Sequence, residues 1–155
     1  MQYQKGLSLR DKTARSGVPQ TRSEVEAMIA RSAPTPVLRQ LRQWLALDEE
    51  LGQLDAQVDH VSETLNDRVL CNMLADRKAD LIQTLLRLAR DLARLDTKQP
   101  ADIRAKAYTL MRMDALHDDR ALKAEMCRII LADVDRLGIE IGNIDRQQGA
   151  TRPGV

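Results

Sequence analysis

Side chains able to do chemistry are few in this chain and stand apart from one another. The two histidines lie beside aspartates, as Asp59-His60 and His117-Asp118-Asp119, pairings that can share a proton or contribute to a metal site. Neither repeats at the i, i+4 spacing that sets two ligands on one helical face, so the spacing predicts a surface histidine at 60 and a turn with a helix cap at 117–119. Cys71 and Cys127 each fall inside an expected helix with no second Cys or His at ligand spacing. That pattern argues against a thiolate zinc site or a redox pair and predicts two reduced, partly buried thiols. Asp55, Asp59 and Glu63 form an acidic ladder, and Arg87, Arg90 and Arg94 a basic one. A two-metal carboxylate centre in a helical bundle needs Glu-x-x-His pairs, which are missing, so both ladders are expected to be solvated flanks. No glycine-rich phosphate loop, H-E-x-x-H, G-x-S-x-G or calcium-loop pattern occurs. The expectation is a non-enzymatic protein with no catalytic residue, no metal and no cofactor.

The elements that would carry these residues are helical. Aromatic residues make up only 2% of the 155, with no Phe, which is the composition of long helices rather than of a sheet. Val37, Leu41, Trp44, Leu47, Leu51, Leu54, Val58, Val61 and Leu65 recur about every 3.5 residues, the spacing of a heptad seam. Leu70, Leu74, Leu81, Leu85, Leu88, Leu92 and Leu95 repeat the period, with a gap near Arg77 and Lys78. A reversal near Asn66 and Asp67 would fold the two stripes together and set Asp55 against Lys78 and Arg42 against Asp91. A single uninterrupted rod is the alternative, since neither Gly nor Pro marks the turn.

Shorter helices flank this hairpin. Ser23 with Glu26 reads as a capping box opening a brace helix on Val25, Met28 and Ile29, stopped by Pro34 and Pro36, and Thr35 reads as the cap of the first long helix. A third helix is expected after Thr97 and Pro100, its apolar face on Ile103, Ala107, Leu110 and Met111. A fourth follows on Leu122, Met126, Ile129, Ile130, Val134 and Leu137, ended by Gly138. The fold class predicted is all-α: a long antiparallel helical hairpin with two shorter helices packed on it as in a four-helix bundle, a short N-terminal brace and flexible ends. The boundaries expected are a basic arm over 1–22, a helical domain over 23–141 and a disordered tail over 142–155.

Charge suggests where partners would bind. The whole chain carries +1, too little to imply nucleic acid or an acidic surface. Locally it is polarised: Lys5, Arg10, Lys12, Arg15 and Arg22 against Asp11 alone give the first 22 residues +4. From Val37 to Asn66, Arg39 and Arg42 stand against six carboxylates, giving −4. The basic five are candidate nucleic-acid contacts, and the stretch from Leu9 to Thr21 resembles half of a helix-turn-helix. It departs from that motif at Thr13, Ser23 and Glu26. Trp44, Asp48, Glu49, Asp55 and Asp59 are the candidate partner surface. No segment approaches the roughly 20 apolar residues of a membrane span, so a cytoplasmic protein that binds a protein partner or itself, with no membrane partner, is expected.

From Val37 onward the chain also resembles a loose group of small, all-helical, uncharacterised alphaproteobacterial proteins. The matching residues are Thr97, Pro100, Arg104-Ala105-Lys106-Ala107, and Asp133 with Leu137. It departs where members often carry Gly before Arg104 and this chain has Ile103. The resemblance implies an all-helical fold and no activity.

Overall fold

At Asn66 the chain turns back on itself. In the computed structural model, which describes residues 17–138, Asn66 adopts the left-handed conformation at φ 46° and ψ 34°. Asparagine tolerates that region better than most non-glycine residues because its short polar side chain can bond locally. Asp67 then caps the next helix, its Oδ1 accepting from the amides of Val69 and Leu70 at 3.1 Å each. The reversal therefore needs neither Gly nor Pro.

Five α-helices make up the described residues: α1 Arg22–Arg31, α2 Pro36–His60, α3 Arg68–Arg94, α4 Pro100–Leu116 and α5 Arg120–Leu137. The fold is all-α, as expected, with α2 and α3 forming the long hairpin, α4 and α5 packed on it and α1 as a short brace. Between α2 and α3, Val61–Leu65 winds as one wide turn, closed by the Asn66 amide donating to the Val61 carbonyl five residues back at 3.0 Å. Such π turns insert one residue into a helix. The cap of helix α1 lies two residues before the expected Ser23: Thr21 accepts from the Glu24 amide at 3.2 Å. Glu24, not Glu26, reaches back over the helix start, accepting from the Gln20 amide one residue before the cap at 2.8 Å. Arg22, assigned to the arm from sequence, is thus the first residue of α1. Residues 1–16 and 139–155, which hold most of the expected arm and the whole expected tail, lie outside the described residues.

Burial follows the two stripes over most of their length. Leu41, Leu51, Leu85 and Leu92 are sealed from solvent, and so is Trp44. The indole Nε1 of Trp44 donates to the Leu85 carbonyl at 3.1 Å, and its ring meets Tyr108 edge-on at 6.5 Å between centroids. Lys78 pairs with Asp55 across the hairpin as the register requires. Arg42 and Asp91 are both exposed, and among the described residues they form no ion pair.

Helix α4 departs from its expected face. Ala107 and Leu110 are half-buried and Met111 is exposed, while Ala101, Asp102, Ile103, Ala105, Lys106, Tyr108, Thr109 and Met113 are buried. Lying against α1, α2, α3 and α5 at once, α4 is covered on most sides, so no single stripe describes it. Its cap position is Gln99, and Thr97 has another role. Helix α5 buries Leu122, Met126 and Ile130 and ends at Gly138, in left-handed geometry at φ 63°.

Replacing Trp44 by Ala is expected to lower stability by about 3 to 5 kcal/mol, since it empties the largest fully buried site and removes the indole's hydrogen bond to the Leu85 carbonyl. Urea unfolding followed by circular dichroism measures this. Gly52 lies exposed inside α2 with open space where a Cβ would stand. Gly52→Ala should accordingly raise stability by about 0.5 to 1 kcal/mol in the same assay.

Candidate functional site

Two features stand out, a buried polar network at the base of the hairpin and an uncovered apolar surface at its tip. At the base, Lys106 on α4 is sealed from solvent, its Nζ donating to the Leu95 carbonyl at 2.6 Å and to Asp133 Oδ2 on α5 at 2.8 Å. Thr97 Oγ1 donates to the same Asp133 oxygen at 2.7 Å, and Arg136 Nη2 donates to the Thr97 carbonyl at 2.6 Å. Beside this, Thr35 Oγ1 donates to the fully buried Asp102 Oδ1 at 2.6 Å while accepting from the Leu38 amide, and Lys98 N–H donates to Asp102 Oδ2 at 2.9 Å. Burial alone would raise the Asp133 pKa. The hydrogen bonds from Lys106 and Thr97, with the charges of Lys106 and Arg136, outweigh it and hold the carboxyl below its ordinary value. These groups are committed to one another, so the network is built to fix the connection Leu95–Gln99 and the ends of three helices.

The tip is different. Helices α4 and α5, at 17 and 18 residues, span about 26 Å each, whereas α2 and α3, at 25 and 27 residues, span about 38 to 40 Å. Thr35 holds the first turn of α4 at the foot of α2, and Arg112 near its end reaches Asp48 at 3.1 Å. The cover therefore stops near the middle of α2. Beyond it Leu65, Val69 and Met73 are 60%, 70% and 64% exposed. Val69 and Met73 stand four residues apart and form a short apolar ridge on one face of α3, while Leu65 lies in the turn before the reversal. Leu70 and Leu74, each one position further along α3, line a groove of about 420 Å³ with Ala56, Gln57, His60 and Val61. Leu65 was expected in the seam. The wide turn at Val61–Leu65 changes the angular advance per residue and carries Leu65 out of it.

The candidate partner residues do not form one surface. Trp44 is wholly interior, so its assignment to a partner surface is corrected: a residue in phase with the seam belongs to the core. Asp48 has a side chain only 11% exposed and is held by Arg112, whose own pKa is raised chiefly by that hydrogen bond. Glu49 pairs with Arg22 at 3.0 Å, and Asp55 pairs with Lys78. Asp59 is exposed and enters no ion pair among the described residues. Of the candidate nucleic-acid contacts, Arg22 binds both Glu26 and Glu49 at 3.0 Å. Lys5, Arg10, Lys12 and Arg15 lie outside the described residues.

His60 is exposed on the groove wall, with its Nδ1 3.4 Å from Thr64 Oγ1. His117 closes α4, and Asp119 caps α5 by accepting from the Leu122 amide at 3.0 Å. Cys71 is half-buried, but Cys127 is exposed rather than partly buried because it faces outward on α5. Among the described residues no group of three or more His, Cys, Asp or Glu side chains is placed to hold a metal ion, and no helix is long and apolar enough to cross a membrane. Three residues quoted for the resemblance, Thr97, Lys106 and Asp133, meet in the buried network. No family model, curated protein or solved structure matches the chain.

Because the Asp133 pKa is lowered by folding, its contribution to stability is present above the unfolded value of about 3.9 and is lost as pH falls through the lower folded one. Asp133→Asn is expected to cost about 3 to 5 kcal/mol at neutral pH, because it strands the Lys106 ammonium in the interior. It should also flatten the fall in stability below about pH 4. Urea midpoints across pH report both effects, and Lys106→Met combined with Asp133→Leu should restore most of the loss.

Proposed function

We propose that this chain is a non-enzymatic helical interaction protein whose contact element is the open end of the α2/α3 hairpin. The observation that carries the reading is the exposure of Leu65, Val69 and Met73 at the open end of the hairpin, which also bears an apolar groove. Single exposed apolar residues are ordinary, whereas a rimmed apolar patch marks a surface that another molecule covers. Its position supports the same reading. The tip stands clear of α4 and α5, so a partner helix could lie along it without displacing any part of the bundle. The described polar groups point away from catalysis, since the buried ones are paired with each other and the groove wall offers only Gln57 and His60 as polar side chains. The alternative, a nucleic-acid-associated regulator, rests on Lys5, Arg10, Lys12 and Arg15 and gains nothing from Arg22, which is engaged by Glu26 and Glu49.

Val69→Asp with Met73→Asp tests the proposal. The positions are exposed, so stability should stay within about 0.5 kcal/mol of the parent. A complex recovered with the tagged full chain from its native host, whether with itself or another protein, should be lost with the double variant. Recovery of the same complex by both chains would remove the tip from the reading.

A further inference from the structure

We infer that the α3/α5 face around Glu125 is a binding site for a phosphate group, gripped by Arg90, Arg94 and Arg128 with Arg87 at its rim. The site lies apart from the hairpin tip and does not depend on what the tip binds.

The first support is convergence. Spacing alone predicts the Arg87, Arg90 and Arg94 ladder to be a solvated flank, but two of its members turn onto one carboxylate of another helix. Arg94 Nε and Nη2 both donate to Glu125 Oε1, at 3.0 and 2.6 Å, and Arg90 Nε stands 3.4 Å from Glu125 Oε2. Arg128 follows Glu125 by three residues on α5 and so shares its face. The Glu125 carboxyl is held below its ordinary value first by the Arg94 hydrogen bond. The charges of Arg94, Arg90 and Arg128 act in the same direction, against desolvation.

Unspent donors are the second support. Arg90 Nε is closed to solvent, and among the described residues it is the one such side-chain atom without a hydrogen-bond partner. A buried N–H left in that state costs free energy until an acceptor reaches it. Arg94 Nη1 and the whole Arg128 guanidinium also donate to no protein acceptor among the described residues. Glu125 thus aligns two long side chains without using up their donors. A guanidinium fork matches two oxygens of a phosphate at a time, and side chains already held in place lose less freedom on binding.

Charge is the third support. Arg87, Arg90, Arg94 and Arg128 stand against Asp91 and Glu125, which leaves the face at 4 − 2 = +2. The nearby charges of α5 are engaged elsewhere, Lys123 by Asp114 and Asp118, and Asp133 by Lys106 and Arg136. Asp135 lies about 10 Å further along α5 than Arg128. A phosphate monoester, with a charge of about −1.5 to −2, neutralises such a face, whereas a single carboxylate neutralises half of it. That chemistry has two sources, inorganic phosphate and a phosphorylated segment of a partner protein.

Titration of the full chain with inorganic phosphate, followed by the arginine Nε–Hε signals in NMR at constant ionic strength, tests the inference. At about pH 7.5 the signals of Arg90, Arg94 and Arg128 should shift and saturate with a Kd no weaker than about 10 mM. Those of Arg39 and Arg42, exposed on α2, should stay in place. Lowering the pH to about 5.5 protonates the dianion and should weaken binding. Arg128→Gln, at an exposed position without an ion pair, should raise Kd at least about threefold, and combined with Arg90→Gln at least about tenfold. Circular dichroism should show unchanged helical content in both. A phosphoserine peptide and its unphosphorylated form make the second arm: tighter binding of the phosphopeptide than of inorganic phosphate assigns the source to a phosphorylated partner, and the reverse assigns it to the free anion.

Shifts that do not saturate by about 50 mM phosphate, equal shifts at Arg39 and Arg42, or a double variant that binds like the parent would overturn the site. Val69→Asp with Met73→Asp should leave this titration unchanged, so the phosphate site and the tip stand or fall separately.

Discussion

The ammonium of Lys106, buried without access to water, is the constraint from which the rest of this fold follows. A charge in that position is tolerable only with near-ideal partners, and it finds them in the Asp133 carboxylate and the Leu95 carbonyl. One residue thereby fixes three elements: α4, which carries it, α5, which carries Asp133, and the end of α3. Thr35 and Asp102 add the fourth by tying the start of α2 to the first turn of α4. With those ends fastened together, α4 and α5 cannot slide along the hairpin. Their lengths then decide how much of it they cover.

Anchoring at one end and shortness at the other thus explain why apolar residues remain in the open. Sliding the cover toward the tip would break the Lys106–Asp133 pair, whose loss costs about 3 to 5 kcal/mol. The wide turn at Val61–Leu65 belongs to the same picture. It relinquishes the burial of Leu65, which stands 60% exposed at the same end of the hairpin as Val69 and Met73.

Much of this architecture was legible in the residues. The reversal at Asn66 could be read because two stripes of equal period also agree in charge, as Lys78 against Asp55 demonstrates, and the caps at Thr35 and Asp119 announced themselves by residue type. The site was legible only in part. Trp44 is no partner residue, and its place in the seam already consigns it to the core. The Val61–Leu65 turn has no composition of its own, so the outward rotation of Leu65 had no local signal. Lys106 and Thr109 sit in a helix enclosed on most sides, where periodicity fails because neighbours cover more than one stripe. Thr21 with Glu24 was as good a capping box as Ser23 with Glu26, and only the backbone direction of Thr21 decides between them.

The division between a fastened base and an open tip also separates two kinds of evolutionary freedom. Positions from Asp55 to Lys78 touch mainly each other, so one heptad added to, or removed from, both arms of the hairpin would lengthen or shorten the lever while leaving every anchoring bond in place. At Lys106, Asp133, Thr97, Asp102 and Thr35 substitution is confined, because each side chain answers to at least one other across a different helix. Descendants of such a chain can therefore diverge in reach and in the chemistry of the ridge long before they diverge in how the bundle is tied.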